Sequence, residues 1–466
     1  MEEKKFDVAI LGSGPGGYPA AIRLAQKGLK VALIEANQIG GTCLNRGCIP
    51  TKALLANAEV LYNIHKAKNF GIEVGQVTVN FGVMQENKDT AIGKLRNSLQ
   101  GLILANGVTI LSGYASFTSK NTLKVTGKDA CTVSAKHFII ATGSEPKEIS
   151  AFAFDGEKIH SSTSILALKT VPKQMAIVGG GVIGCEFASL FHELGCKVTV
   201  IEMLDRILPL ECPTISSALT VSFEKRGIQI VTGSGVQSIQ KTALGVVVNL
   251  QGDKKIEADC ALVAVGRSLN SSAIGLDAAG VTTERGMIAV DDQMKTNVAG
   301  IYAIGDVVGK SLYAHVATHQ GIVAAENILG HTAKMNYMAV PGVIFTHPEI
   351  GTCGLSLDDA KKKGYKAKRA SYPFQALGKA QAAQQTEGFA QIVIDEQTGQ
   401  ILGAQVVGHE AGNLIATMCL AITNELTIEC ITETIHAHPT LAESWMESAF
   451  IAQGIPMHFP PTAVRK

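Results

Sequence analysis

The sequence predicts an α/β fold, with two Rossmann-like units followed by a C-terminal α+β domain. Three observations carry this. Residues 6–11 (FDVAIL) are an apolar run leading into Gly12-Ser13-Gly14-Pro15-Gly16-Gly17. Residues 175–178 (MAIV) lead in the same way into Gly179-Gly180-Gly181-Val182-Ile183-Gly184. From about residue 340 the periodicity changes to strands and helices that fit neither unit.

In the first unit a strand is expected to start by about Phe6. A helical pattern through Ala20, Ala21, Leu24 and Ala25 follows the glycines, and then a second strand at residues 30–35 (KVALIE). The second unit repeats this order, with a helix through Phe187, Leu190 and Leu194 and a strand at residues 197–202 (KVTVIE). Strand, glycine-rich turn, helix, strand is the opening of a Rossmann-like domain. The wide separation of the two turns means two nucleotide-binding domains, not one duplicated loop. Residues 109–114 and 121–126 read as short strands. Residues 261–265 and 301–304 read as buried strands ending in Gly-Arg and Gly-Asp. In the C-terminal part, residues 389–394 and 401–407 read as antiparallel strands joined by a turn at Glu396-Gln397-Thr398-Gly399. Helices are expected at about 411–424 and 440–452.

Composition narrows the class. A chain of 466 residues suggests about three domains at roughly 150 residues each. With 46% apolar and 17% charged residues it has a compact globular composition. The net charge of +1 argues against nucleic acid or an anionic membrane as partner. No apolar run is long enough for a transmembrane helix. The early first strand leaves no room for a signal peptide, so a cytoplasmic location is expected.

Each glycine motif has a division of labour. Gly12 and Gly179 make the tight turn, Gly14 and Gly181 let the backbone approach a pyrophosphate, and Gly17 and Gly184 let the helix pack closely on the strand. The helix N-terminus then offers unpaired N–H groups to phosphate. Glu35 and Glu202 stand at the same offset from their third glycines, at the end of the next strand, where a carboxylate accepts hydrogen bonds from ribose hydroxyls. The bland alternative is that both merely solvate strand ends. Glu202 would repel a 2′-phosphate, so the second site should prefer NAD to NADP, with Arg206 as the one residue pointing the other way.

Ten cysteines in a chain of this length do not make a disulfide scaffold. Cys131, Cys185, Cys196, Cys212, Cys260, Cys353, Cys419 and Cys430 are widely spread and read as small buried apolar residues. Cys43 and Cys48 differ. They lie in Gly40-Gly41-Thr42-Cys43-Leu44-Asn45-Arg46-Gly47-Cys48-Ile49-Pro50-Thr51-Lys52. A regular helix would separate their Cα atoms by ~7.5 Å along its axis, beyond the ~4.4–6.8 Å of bridged cysteines. A disulfide therefore needs an irregular turn, which Gly47 permits. Pro50 disfavours the α region at Ile49, so regular helix is expected only after it, over about Thr51 to Glu59. A helix N-terminus just past Cys48 would favour its thiolate. The alternatives are two inert thiols or half a metal site, though no Cys or His with zinc-like spacing is nearby.

GGTCLNRGCIPTK resembles the redox-active segment of the flavin-dependent pyridine nucleotide–disulfide oxidoreductases, and the likeness extends over essentially the whole chain. The resemblance implies FAD in the first nucleotide site and NAD in the second. It implies that Ala141-Thr142-Gly143-Ser144 closes the FAD domain, with Thr142 and Gly143 at the cofactor. It likewise implies that Val265-Gly266-Arg267 ends the NAD domain, with Gly266 at its cofactor. Ala303-Ile304-Gly305-Asp306 is similar to the second FAD motif, which puts Asp306 on the ribitol chain and Ala314 in the same site. The implied boundaries are 1–145 for the FAD domain, 146–270 for the NAD domain, 271–337 for a segment completing the FAD domain, and 338–466 for a dimerisation domain.

His436-Ala437-His438-Pro439-Thr440-Leu441-Ala442-Glu443 is very similar to the family's catalytic-base segment. By that resemblance His438 is the base and Glu443 holds its ring. Cys43 exchanges with substrate, and Cys48 sits against the flavin. Lys52 lies near the flavin and pairs with Glu186. His438 would come from the partner subunit of a homodimer. The wording of these segments most resembles the branch of the family that oxidises dihydrolipoyl groups. Glutathione reductases are less similar. Pro460 to Lys466 carry no cysteine pair of the mercuric reductase kind, and soluble transhydrogenases lack the redox pair. The implied partners are the lipoyl and peripheral subunit-binding domains of a 2-oxo acid dehydrogenase acyltransferase, and the implied role extends to cell redox homeostasis. The competing readings are a related flavin disulfide or metal reductase using NAD(P)H, and a non-catalytic docking subunit. Arg46 and Thr318-His319-Gln320 depart from the family's usual residues.

Overall fold

The computed structural model describes residues 2–460; residues 461–466, the end of the expected C-terminal domain, lie outside them. The chain divides into two compact units.

The first unit comprises Met1–Val171 and Val265–Asn336. Its sheet is built around β1 (Glu3–Leu11), which begins three residues before the expected Phe6. After β1 come α1 (Gly17–Gln26), β2 (Val31–Glu35), α2 (Gly41–Arg46), α3 (Cys48–Lys66), β3 (Thr109–Ser112) and β4 (Cys131–Ile140). The strand order β3-β2-β1-β4 is parallel, with Val8 opposite Val31 and Leu11 opposite Ile140. Strands buried on both faces read as continuous apolar runs, which is how 6–11 and 30–35 read. The hairpin Tyr114–Ser119 and Thr122–Thr126 extends the sheet beyond β4. The strand Ile301–Ala303 returns to pair with β4, so chain after residue 300 completes this sheet. The long helix Phe81–Ala105 was not foreseen. It starts at Asn80, whose side chain accepts from the Val83 N–H at 3.2 Å.

The second unit comprises Pro172–Ala264 and Tyr337–Lys466. Its first part holds β5 (Gln174–Val178), α4 (Val182–Glu193), β6 (Lys197–Ile201), β7 (Gln229–Val231) and β8 (Cys260–Val263). These strands pair in parallel in the order β7-β6-β5-β8. The second part is an antiparallel sheet of β9 (Gly342–Ile344), β10 (Ile350–Gly354), β11 (Ala367–Pro373), β12 (Phe389–Asp395) and β13 (Ile401–Val407), in the order β9-β10-β13-β12-β11. The helices α5 (Ala411–Thr423) and α6 (Glu443–Gln453) pack on it. Trp445 is fully buried in that core, and its Nε1–H donates to the Leu414 carbonyl at 3.1 Å, tying α6 to α5. No described helix is long and apolar enough to cross a membrane.

Candidate active site

The two glycine turns are built alike. Gly12 has φ 102° and Gly179 φ 108°, a region that favours glycine. A Cβ on Gly17 would lie 1.9 Å from the Gly12 carbonyl oxygen, and one on Gly184 1.9 Å from that of Gly179. Each third glycine therefore lets its helix start against its own turn. The middle glycines differ from the third. A Cβ on Gly181 would meet nothing, and one on Gly14 only the Gly41 Cα at 4.0 Å. The protein leaves open the side of the turn where a pyrophosphate would approach.

The strand-end acids do more than solvate. Glu35 accepts from the Ser13 N–H (2.9 Å) and hydroxyl (2.6 Å), and its other oxygen from the Asn37 N–H (2.8 Å). Glu202 accepts from the Gly180 N–H (2.8 Å) and the Leu204 N–H (2.9 Å). In both units the carboxylate ties the end of the second strand to the glycine turn, which fixes it at the turn's edge. These cradles fit bound dinucleotides.

Around the first turn the structure gathers the other expected residues. Thr142 donates to the Asn270 carbonyl at 2.7 Å, and the Gly143 carbonyl accepts from the Asn270 N–H at 3.0 Å. Asp306 accepts from the Ser144 hydroxyl, and Arg267 donates to that hydroxyl at 2.6 Å. Ala314 opens the helix Ala314–Ile328. Two of the unusual residues on this helix have clear partners. The Thr318 hydroxyl donates to the Pro15 carbonyl at 2.8 Å, and the buried Gln320 accepts from the Gly305 N–H at 2.6 Å. Both steady the glycine turn or the Asp306 segment. Their sequence signal was only a departure from the usual pattern.

The cysteines sit against this cradle. The Gly40 N–H donates to Ser13, and a Cβ on Gly41 would lie 2.7 Å from the Gly14 Cα. Cys43 is on α2 and Cys48 opens α3, with Gly47 (φ −145°, ψ −107°) as the break between them. This corrects one expectation: α3 starts at Cys48, two residues before Pro50. Proline is tolerated there because a first-turn N–H has no intrahelical acceptor. The Thr51 N–H and hydroxyl both bond the Gly47 carbonyl, at 3.1 and 2.7 Å, and anchor that turn.

The Cys43 and Cys48 thiols lie against each other. This contact, with burial second, pushes the Cys43 thiol far up; the Cys48 amide and the Lys52 ammonium pull the other way. The start of α3 favours negative charge on Cys48. Tyr18, on α1, is also pushed up, first by burial and then by Cys43. Its place beside the pair was not foreseen.

His438 and Glu443 form the second constellation. His438 Nδ1 lies 2.8 Å from Glu443 Oε1, and Oε2 accepts from the Thr440 N–H at 2.8 Å. Burial raises the Glu443 carboxyl, but the His438 and Thr440 hydrogen bonds outweigh it, and the net shift is downward. Glu443 is thus anionic and accepts the Nδ1 proton, which leaves Nε2 to take one. The side chain of His438 is 77% exposed while Glu443 is 14% exposed: a presented imidazole on a half-buried support. His436 instead points Nδ1 at the Thr434 carbonyl, at 2.9 Å. Glu186 is buried on α4 and accepts from the Phe345 N–H at 3.1 Å. Gly266 has φ 122°, and its carbonyl accepts from the Lys147 N–H at 3.0 Å.

Not every remaining cysteine is a buried apolar residue. Cys430 is exposed, and Cys212 and Cys419 are half-buried.

Comparison with known proteins agrees with this geometry. Residues 6–321 match the pyridine nucleotide-disulphide oxidoreductase family, and residues 340–449 match its dimerisation domain. The chain belongs to the pyridine nucleotide-disulphide oxidoreductase family. It is 51% identical to a dihydrolipoyl dehydrogenase of Chlamydia pneumoniae, over 98% of this chain and 99% of that one. It is 40% identical to a dihydrolipoyl dehydrogenase of Geobacillus stearothermophilus, over 97% of each. Among solved structures it is similar to LpdA of Mycobacterium tuberculosis, with TM-score 0.91 and 27% identity over 97% of this chain and all of that one. It is also similar to a Cu(II) complex of the flavoprotein disulfide reductase RclA of Escherichia coli, with TM-score 0.88 and 26% identity over 96% and 99%. The oxidoreductase family thus spans both nucleotide cradles, the cysteine pair and the histidine segment.

Proposed function

We propose that the protein is a dihydrolipoyl dehydrogenase, which oxidises dihydrolipoyl groups to lipoyl and reduces NAD+ to NADH. The observation that carries this is the adjacent pair Cys43 and Cys48, split by the break at Gly47 and seated against the first glycine turn. The full-length relatives named dihydrolipoyl dehydrogenase support the choice of substrate.

In the oxidised enzyme the two sulfurs form a disulfide. A substrate thiolate attacks Cys43 and expels Cys48 as thiolate, giving a mixed disulfide. The second substrate thiol gives its proton to His438 Nε2 and attacks the substrate sulfur bound to Cys43. The S–S bond of the mixed disulfide breaks, cyclic lipoyl leaves, and Cys43 takes the proton as a thiol. Two electrons then reside on the pair, with Cys43 as thiol and Cys48 as thiolate at the start of α3. Glu443 keeps the imidazole oriented and balances its charge while protonated. FAD bound in the first cradle would accept those electrons, and NAD+ bound in the second would be their final, hydride-accepting carrier. Gly12, Gly14, Gly17, Glu35, Lys52, Thr142, Gly143, Asp306 and Ala314 hold FAD in this reading. Gly179, Gly181, Gly184, Glu186, Glu202 and Gly266 hold NAD.

The C-terminal dimerisation domain makes a homodimer in which the exposed His438 serves the cysteines of the second copy. The physiological substrate is a lipoyl domain of a 2-oxo acid dehydrogenase acyltransferase, bound through its peripheral subunit-binding domain, and the setting is cytoplasmic.

The test is anaerobic addition of dihydrolipoamide and NAD+ to the purified yellow protein, following NADH. Rapid NADH formation with dihydrolipoamide supports the reading. A colourless protein, or one that responds only to glutathione with NADPH, refutes it. A fully active monomer would refute the shared site.

A further inference from the structure

The second cysteine pair lies in the dimerisation domain. Cys353 is on β10 and Cys419 on α5, which packs on that sheet, and the two thiols lie close enough to shift each other's acidity. Their approach is built into the backbone. A Cβ on Gly351 would lie 2.6 Å from the Ala411 carbonyl oxygen and 3.0 Å from the Ile415 Cβ. A Cβ on Gly354 would lie 3.0 Å from the Ile422 Cδ1. Gly351 thus lets α5 lie directly on β10, while Gly354, where a Cβ would first meet the Leu402 carbonyl oxygen at 2.4 Å, chiefly lets β13 approach. Ile415 meets one glycine and Ile422 the other, so Cys419, between them on the helix, falls opposite Cys353. Gly351 and Cys353 share a strand face, because alternate residues point the same way.

The two sulfurs are not equivalent. Cys353 is 2% exposed within the core, while Cys419 packs at its margin and is half-buried. The neighbouring Cys353 thiol lowers the Cys419 thiol, with burial opposing, and Cys353 itself is raised. Reactivity and access therefore coincide at Cys419, and Cys353 is placed behind it as a resolving thiol.

We propose that Cys353 and Cys419 are a second, reversible disulfide site, separate from Cys43 and Cys48, that staples β10 to α5 when a low-molecular-weight disulfide oxidises the protein. The Cys419 thiolate attacks one sulfur of that disulfide, and the other sulfur leaves as a thiolate. Cys353 then gives up its proton and attacks the Cys419 sulfur, which expels the second small thiolate. The protein dithiol loses two electrons and two protons. The incoming disulfide gains both and departs as two thiols. The bond joins residues far apart in sequence, so it constrains the unfolded chain strongly and should raise thermal stability. It touches no residue of the proposed catalytic machinery.

The experiment uses the full-length holoenzyme and glutathione disulfide. After oxidation, free thiols are blocked with N-ethylmaleimide, the protein is digested without reductant, and peptides are mapped by mass spectrometry. The expected result is a peptide pair linked through Cys353 and Cys419 that dithiothreitol separates. The melting temperature should rise on oxidation in the wild type but not in Cys419→Ser, whose reduced form should keep the basal NAD+ activity. Recovery of both residues as blocked thiols would overturn the proposal. So would glutathione attached to Cys419 while Cys353 remains a thiol. The peptide map is read on the wild type, so it decides the matter even if a variant folds poorly.

Discussion

The two cysteine pairs reach the same contact by different routes. Cys43 and Cys48 meet because a helix breaks at Gly47, so the contact is local in sequence. Cys353 and Cys419 meet because Gly351 lets a helix settle on a strand, so the contact is purely tertiary. The first pair lies beside the first nucleotide cradle, with Lys52 acting on Cys43. The second lies in a hydrophobic core with no nucleotide cradle around it. A dithiol becomes catalytic through what surrounds it: an electron acceptor, a cation and a base. Without these it can only respond to whatever oxidant arrives.

The sharpest test of that distinction is to remove one sulfur from each pair. Cys48→Ser should abolish dihydrolipoamide-dependent NADH formation, because the mixed disulfide then has no internal leaving thiolate. Cys419→Ser should leave the steady-state rate close to wild type. Equal losses in both variants would erase the contrast. The next largest effect concerns the base. His438→Gln should slow the reaction by ~10²–10⁴-fold. Glu443→Gln should cost less and should change the pH dependence of the rate, since it keeps the shape but removes the charge that supports a protonated His438. An unchanged pH profile in Glu443→Gln would show that the carboxylate only fills space.

The same contrast explains what could be read before the structure was known. Both glycine turns, both strand-end acids and the first cysteine pair depend on short-range spacing, so they were legible. Glu35 and Glu202 were foreseen as ribose ligands, but their anchoring to Ser13 and Gly180 was not, because it depends on how each turn folds back. Pro50 misled about the start of α3, since its effect on Ile49 was weighed without the freedom of a first helical turn. The helix Phe81–Ala105 was missed because its apolar residues do not lie on one face. Ile92 and Ile103 are buried, but Leu95, Leu102 and Leu104 are exposed. The contact between Cys353 and Cys419 had no signal at all, because nothing in their spacing predicts that a helix will cross a strand at that point.

A subtler way to separate the pairs acts on Gly351. Gly351→Ala places a Cβ 2.6 Å from the Ala411 carbonyl oxygen, backbone that cannot rotate away. The helix must shift, at an overpacking cost of ~1–3 kcal/mol. Oxidative linkage of Cys353 to Cys419 should slow, measured by the fraction of linked peptide over time, while the chemistry of Cys43 and Cys48 is unaffected. Undiminished linkage would mean that Gly351 is not what brings the sulfurs together.

The smallest effect sets the background against which the thermal comparison must be made. His458 Nδ1 lies 2.7 Å from Oε1 of Glu447, a buried acid one turn beyond Glu443 on α6. The hydrogen bond and charge of Glu447 raise the His458 imidazole above its ordinary 6.5, with burial opposing and Glu443 adding a little. A raised pKa in the folded state means that stabilisation is fully present below 6.5 and is lost as pH rises through the folded value. The ring is 73% exposed, so solvent screens the pair and the effect is small. His458→Gln should therefore lower the melting temperature slightly at acidic pH and converge with wild type at alkaline pH. The gain from linking Cys353 to Cys419 should instead persist across that range, because a covalent bond does not titrate. If the oxidised and reduced proteins converge at alkaline pH as well, the stabilisation is electrostatic and the second pair is not acting as a staple.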